Sequence, residues 1–386
     1  MRLGDAFDLQ MGKTPSRDNS SYWNNGDHEW VSIKDLGTYG KYVGSTKETI
    51  SELGRAESGI KPVPANTLIM SFKLSLGKTA ITTKETYTNE AIMAFLEKGN
   101  HEINLDYMWH QFRSKDWTVG TNTAVMGKTL NKKTLGDSTI RIPSLAEQIE
   151  IADILDKVLR QIDATNNQVF HLQSLVKSQF VEMFGDPISN SRQLPMMRIE
   201  TIADVQTGAT PLRSNAAYYN GQIPWIKTGE VAAGLKKKPE ETITELALKE
   251  TNCKLFPAGT ILIAMYGQGD TRGKAAILRQ AAATNQACAA IMLNDTCNAE
   301  FILTQLNLRY RDLRSQSLGG NQKNLSLKII KAYELIIPDI EQQQEFAAFA
   351  ERAAKLEFAA LVQYPYKFLF NGGCSHDNRR GKEKGR

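Results

Sequence analysis

The chain has 386 residues, 41% of them hydrophobic and 23% charged, with a formal net charge of +5. That is ordinary soluble-protein composition and enough length for two or three domains, each able to bury its own core. No apolar run approaches the ~18–20 residues of a membrane span, the amino terminus has no signal-peptide pattern, and the four cysteines form no CxxC pair, so the expected setting is the reducing cytoplasm, with neither a disulfide framework nor a zinc site.

The first stretch, residues 1–142, mixes short β-type runs (67–72 and 90–95) with glycine turns and one helical run from Leu105 to Phe112. It predicts an α+β lobe.

A different pattern follows over 143–187. Ser144 with Glu147 three residues on is a capping box. Ile151, Leu155, Val158, Ile162, Val169, Leu172, Val176 and Met183 then recur in alternating steps of four and three, with Thr165 and Gln179 filling two slots. This is the seam of a long coiled-coil helix, spanning roughly 55–60 Å. Gly185 and Pro187 stop it.

Residues 188–337 then repeat 1–142 at an offset of 195–196. Gly12-Lys13-Thr14-Pro15 returns as Gly208-Ala209-Thr210-Pro211, Trp30-Val31 as Trp225-Ile226, Gly77-Lys78-Thr79-Ala80-Ile81 as Gly273-Lys274-Ala275-Ala276-Ile277, and Thr88-Asn89-Glu90-Ala91 as Thr284-Asn285-Gln286-Ala287. The period is far longer than a solenoid unit of ~20–50 residues, so it marks a duplicated domain. A second helix starts near 338, with Ile337-Pro338 and Gln342-Gln343 matching Ile142-Pro143 and Glu147-Gln148. Phe346, Phe349, Ala353, Leu356 and Ala360 give it a seam. Residues 358–379 do not copy 163–184: Tyr364-Pro365-Tyr366 breaks the helix at about 363, and 364–386 ends as a basic tail expected to be disordered. Counting charges, residues 1–144 and 185–338 are basic (+2 and +5) and the helical segments 145–184 and 339–370 acidic (−3 and −2), which suits lobes that face a polyanion.

These blocks, with Phe180-Val181-Glu182-Met183-Phe184-Gly185-Asp186-Pro187 closing the central helix, resemble over residues 1–363 the specificity subunits of type I restriction–modification enzymes. The resemblance implies an α+β fold of two target recognition domains, 1–142 and 188–337. They are joined with pseudo-two-fold symmetry by an antiparallel coiled-coil spacer, whose distal helix at 338–363 is shorter than the family's. It implies a non-catalytic subunit that reads a bipartite, asymmetric sequence in double-stranded DNA. The partners implied are two methyltransferase subunits and, through the complex, restriction subunits, with S-adenosylmethionine, ATP and Mg bound by those partners and no cofactor or metal of its own. A stand-alone DNA-modifying enzyme and a repeat-built protein–protein adaptor are the other function classes open to the chain.

In or beside the repeated blocks lie Lys13, Arg17, Lys73 and Lys78, and Arg213, Lys227, Arg272 and Lys274. They are candidates for DNA contact, since phosphates are held by Lys or Arg charge; a solvated face is the alternative. Gln268, Asn321 and Gln322 have amides suited to adenine. Residues alike in both lobes are expected to fix the pose, and the place where the lobes differ, 73–76 against 267–272, to choose the sequence. Trp30 and Trp225 read better as core aromatics than as base-stacking platforms. The three Gly-Lys-Thr triplets lack the earlier glycine of a phosphate loop.

Overall fold

The computed structural model describes residues 1–362 except 74, 119–121, 125–126, 236 and 318–323. It comprises two compact units, Met1–Gln161 and Ile162–Arg386, which divide the chain within one helix, Leu145–Phe184. Among the described residues no helix is long and apolar enough to cross a membrane.

The first unit is built on a four-stranded antiparallel sheet in the order Phe7–Met11, Ile92–Glu97, Leu68–Ser71, Thr79–Ile81. The strand Leu68–Ser71 is buried throughout because it faces a core on each side. Its alternation sends Leu68, Met70 and Phe72 toward the helix Leu105–Ser114, where they meet Phe95, Met108 and Phe112. Ile69 goes the other way, to Val31, Leu36 and Ile92. Strand periodicity of two thus loads both faces of one sheet. A second sheet sets Trp23–Val31 between Glu48–Ile50 and Tyr87–Thr88, with Trp30 opposite Tyr87 in parallel register.

The second unit repeats this. Its sheet order is Ala203–Thr207, Cys288–Leu293, Ile261–Ala264, Ala275–Ile277, and its second sheet sets Tyr219–Ile226 between Thr242–Ile243 and Ala283–Thr284. Ile261, Ile263 and Met265 point to one core and Leu262 and Ala264 to the other. Trp225 lies opposite Ala283, again in parallel.

In the long helix every predicted seam position is half-buried, and Thr165 is buried. Within the first unit Ile151, Ala152 and Leu159 pack onto the lobe core. Within the second, Phe180 and Phe184 meet Phe301 of the lobe helix Ala299–Leu308 and Phe346 of the distal helix Ile340–Val362. Gln173 donates to Glu357 at 3.1 Å, and with Phe180 beside Phe346 this makes the two helices antiparallel. Gly185, at φ +74, ends the long helix.

The distal seam differs from its predicted register. Phe346, Ala353 and Ala360 are buried and Phe349 is half-buried. Leu356, placed in the seam by spacing, is 58% exposed, and Glu357 takes the inward position to accept from Gln173. The small faces of Ala353 and Ala360 admit the partner helix there, so the large side chain is turned out.

Both helices begin on a buried glutamine. Gln148 Oε1 accepts from the Asn104 backbone N–H at 2.9 Å, and its Nε2 donates to the Glu102 and Pro143 carbonyls, each at 2.9 Å. Gln343 does the same with Asn298, Thr296 and Pro338 at 2.9, 3.1 and 2.8 Å. Both side chains are fully buried. The repeated Ile-Pro…Gln block is therefore a clamp between a spacer helix and the cap of the lobe helix.

The first unit adds an ionic tie. Lys41 Nζ lies 2.8 Å from Asp106 and 2.6 Å from Asp156 of the long helix, and Asp156 also bonds His110 Nε2 at 2.7 Å. Burial holds the His110 ring below its usual 6.5, against the pull of Asp156. Burial raises Asp156, but hydrogen bonds from Lys41 and His110 outweigh it and keep the carboxyl below 3.8. Folding therefore favours neutral His110 and ionised Asp156. Their stabilisation is complete above about pH 6.5, declines as His110 takes up a proton, and falls again as Asp156 does. Four of the five tryptophans, Trp23, Trp30, Trp109 and Trp117, lie in this unit, so fluorescence-detected urea unfolding isolates it. The midpoint should fall between pH 7.5 and 5.5 (~2 decades of proton activity across the imidazole range), and His110→Gln should flatten that fall. Equal pH dependence in variant and parent would contradict the assignment.

Candidate nucleic-acid interface

Sheet register decides which loops share an end. Met11 lies opposite Met93, Ser71 opposite Ile92, and Met70 opposite Thr79. The segments 12–17, 72–78 and 88–91 consequently leave the sheet at one end, carrying Lys13, Arg17, Lys73 and Lys78. In the second lobe Thr207 faces Ala289, Ala264 faces Cys288, and Ile263 faces Ala275. The equivalent end carries Arg213, Gln268, Arg272 and Lys274. Lys227 follows directly on the strand Tyr219–Ile226, whose Ile226 lies opposite Thr284.

The opening loop of each lobe rides directly on backbone. A Cβ on Gly12 would lie 2.2 Å from the Thr88 carbonyl oxygen, and one on Gly208 1.8 Å from that of Thr284. The next residue, Lys13 or Ala209, donates its N–H to that same oxygen at 2.8 or 3.0 Å. Its carbonyl in turn accepts the indole N–H of Trp30 or Trp225, at 3.0 Å in both lobes. Thr14 bonds Glu90 and Asn89, and Thr210 bonds Gln286. Both tryptophans are 1% exposed, so they serve as internal struts.

The cations divide into two groups. Arg17 lies 3.7 Å from the Trp23 ring centroid and 5.1 Å from that of Trp30, and pairs with Glu48 at 2.5 and 3.1 Å. Arg213 lies 4.9 Å from each of Tyr219 and Trp225 and pairs with Glu241. Arg17 holds the Glu48 carboxyl below its usual range, and Arg213, with Lys227, does so for Glu241. Lys227 reaches Glu240 at 2.7 Å and Glu241 at 3.1 Å. These three charges are already balanced inside the lobe. Among the described residues, Lys13, Lys73, Lys78 and Lys274 have no carboxylate within 4 Å. Lys13 donates to the Ser58 carbonyl at 2.5 Å, Lys73 lies 5.1 Å from the Phe72 ring centroid, and Lys274 lies 4.4 Å from that of Tyr310. A lysine whose charge is not balanced by a carboxylate is available to a phosphate; a stacked and paired arginine is first a structural part. Gln268 is exposed between Gly267 and Gly269. Asn321 and Gln322 lie outside the described residues.

Sequence reasoning missed Glu48 and Glu241. Their signal was available, since Glu48-Thr49-Ile50 returns as Glu241-Thr242-Ile243. It also missed Tyr310 and Arg314, which contact the 267–273 loop and whose positions in the first repeat hold other residue types.

Comparison with known proteins places this arrangement. The sequence model of the type I restriction modification DNA specificity domain matches residues 1–170 and again 194–357. The MjaIX specificity subunit of Methanocaldococcus jannaschii is 24% identical over 286 residues, 69% of this chain and 66% of that one. The EcoR124I/EcoR124II specificity subunit of Escherichia coli is 24% identical over 215 residues, 54% and 52%. The matched stretches thus span less than two thirds of either relative. Among solved structures, the S subunit of a type I restriction–modification system from M. genitalium superposes with a TM-score of 0.60 at 13% identity, covering 96% of this chain and 93% of that one. A chain from a study of assembly and conformational transition of the type I R–M system gives 0.51 at 16% identity, covering 96% and 94%. At these identities the likeness is one of fold.

Proposed function

The chain belongs to the type I restriction modification DNA specificity family, and from that premise we propose that it is the non-catalytic subunit that reads a bipartite DNA sequence, one half with each lobe. The observation that carries the reading is the doubled platform: the same three loops leave the same sheet end twice, and they carry Lys13, Lys73, Lys78 and Lys274, which meet no carboxylate within 4 Å among the described residues. On this reading Lys13, Lys73 and Lys78 hold phosphates for the first lobe and Lys274 for the second. Arg17, Arg213 and Lys227 keep the loops in shape. Gln268 and Arg272 lie where the lobes differ, and base choice is assigned there. Because the lobes have diverged, the target is asymmetric.

The helix pair is the surface for modification subunits. Phe170, Leu175, Leu356 and Phe358 are each at least half exposed on it, and on this reading a modification subunit covers them. Restriction subunits join through the complex, and S-adenosylmethionine, ATP and Mg belong to the partners.

Co-expression with a type I modification subunit, followed by sequencing for methylated adenines, tests the reading. The expected product is one motif with two unlike halves; a motif with a single half would overturn it. For the assembled complex, Lys274→Gln and Lys73→Gln should each lower the slope of log K against log salt by ~0.9, one phosphate contact apiece. Arg17→Gln should leave the slope nearly unchanged and show its effect as lost stability in the first lobe.

A further inference from the structure

The lobes hold their equivalent loops by unlike means. In the first, seven residues join Ser71 to Thr79, and the turn closes on itself: Gly77 N–H donates to the Ser71 carbonyl at 2.9 Å and Lys78 N–H to Ser71 Oγ at 3.1 Å. In the second, ten residues join Ala264 to Ala275. Three of them are glycines with positive φ: Gly267 at +141°, Gly269 at +58° and Gly273 at +87°. Such a segment has little intrinsic shape, because ordering a glycine costs more backbone entropy than ordering any other residue.

Two side chains one turn apart on the short helix Tyr310–Ser315 supply the shape. Tyr310 Oη donates to the Asp270 carbonyl at 2.9 Å. Arg314 Nη1 donates to the Arg272 carbonyl and to Tyr310 Oη, both at 2.9 Å, and Nη2 to the Gly269 carbonyl at 2.5 Å. Three consecutive-turn carbonyls of the loop are thereby captured by one fork and one hydroxyl. The same edge holds more positive than negative charge, with Arg272, Lys274 and Arg314 against Asp270 of the loop. Lys274 lies over the Tyr310 ring at 4.4 Å and Arg314 at 5.9 Å, and among the described residues neither meets a carboxylate within 4 Å. Partial burial, and then Arg314, holds Arg272 below its usual range. A braced loop with excess positive charge along its base and Gln268 exposed at its far side is built to meet a polyanion in one fixed pose.

We propose that Tyr310 and Arg314 are the positioning residues that set the second lobe's half of the DNA target, by holding the 266–273 loop in its reading shape. This rests on the DNA-recognition reading above. Neither residue touches a base; they act through the loop backbone. A rigid loop presents one pattern of donors and acceptors, and a released loop accommodates several bases.

The test uses the full chain with a type I modification subunit and reads methylated adenines by sequencing, for the parent, Arg314→Gln, Arg314→Lys, Tyr310→Phe and Gln268→Ala. The parent should give a motif with two halves. Arg314→Gln should relax one half only, with discrimination at one or more of its positions falling ~10-fold or more, while the other half and the melting temperature stay within error. Gln268→Ala should relax that same half, and Tyr310→Phe should relax it less. Arg314→Lys keeps the charge and loses the fork, so it should resemble Arg314→Gln. An Arg314→Lys chain that reads like the parent would overturn the proposal, because charge alone would then suffice. So would relaxation of both halves in step with lost stability, or an unchanged motif in every variant. A parent chain that gives no two-part motif would instead overturn the recognition reading, and this inference with it.

Discussion

Gly208→Ala should unseat the opening loop of the second lobe and lower its stability by about 3 kcal/mol or more, at or beyond the upper end of ordinary overpacking. The added Cβ would lie 1.8 Å from the Thr284 carbonyl oxygen and 2.4 Å from its carbon. Both are backbone atoms of a strand with Ala283 paired to Trp225, so neither can swing aside as a side-chain tip would. Relief requires the loop to lift, which breaks the Ala209 N–H bond to Thr284 and then the Trp225 indole bond to Ala209. Gly12→Ala should act likewise on the first lobe, where the closest approach is 2.2 Å to Thr88. Neither glycine is among the positive-φ residues, so the requirement is space and not conformation. Gly59 supplies the contrast. It sits at φ +64 with nothing within 4 Å of its missing Cβ, and Gly59→Ala should cost only about 1 kcal/mol, the conformational penalty of a side chain there. Urea unfolding of the three variants ranks them. Equal losses for Gly208→Ala and Gly59→Ala would mean that the loop does not rest on the strand. In the assembled complex Gly208→Ala and Gly12→Ala should each erase one half of the methylation motif.

That glycine pair also marks how far the sequence was legible. A duplicated block displays which residues a fold needs twice, because two lobes that have diverged in sequence keep only their common machinery. Gly12 and Gly208, Trp30 and Trp225, and Gln148 and Gln343 all surfaced from the offset alone; the glycines make the same close approach to a strand carbonyl, and the tryptophans and glutamines the same bonds, in both units. The long-helix seam was legible for a local reason, since a period of three and four needs no knowledge of the partner. The distal seam was legible only up to its register. Choosing between Leu356 and Glu357 depended on Gln173 across the helix pair, a contact 184 positions away. The charges were the least legible. Arg17 and Lys73 look alike in sequence, yet Arg17 is consumed by Glu48 and two indoles, while Lys73 meets the Phe72 ring and, among the described residues, no carboxylate. Tyr310 and Arg314 were invisible to the repeat because they serve the segment where the lobes differ.

Loss of the buried glutamines should be the second large effect, and it should be unequal. Gln148→Ala deprives the Asn104 N–H and the Glu102 and Pro143 carbonyls of their partner, and Gln343→Ala does so for Asn298, Thr296 and Pro338. Each buried group left without a bond costs roughly 1–3 kcal/mol, less where water can reach it. All three bonds of Gln148 are only part-buried, whereas the bond from Gln343 to Pro338 is fully buried. Gln343→Ala should therefore lose about 3–4 kcal/mol and Gln148→Ala about 2–3 kcal/mol. Replacement by glutamate separates hydrogen bonding from volume. A carboxylate keeps the acceptor for the Asn298 N–H but turns an oxygen toward two carbonyls, so Gln343→Glu should be at least as damaging as alanine near neutral pH and partly restored in acid, where protonation returns one donor. Amide hydrogen exchange at Asn104 and Asn298 reads each clamp by itself, because each N–H is closed by its own glutamine. Protection lost at Asn298 but kept at Asn104 in Gln343→Ala is the expected pattern. Protection retained at Asn298 in that variant would show that the cap of the lobe helix stands without the spacer helix, and the repeated Gln would then owe its place to something other than this clamp.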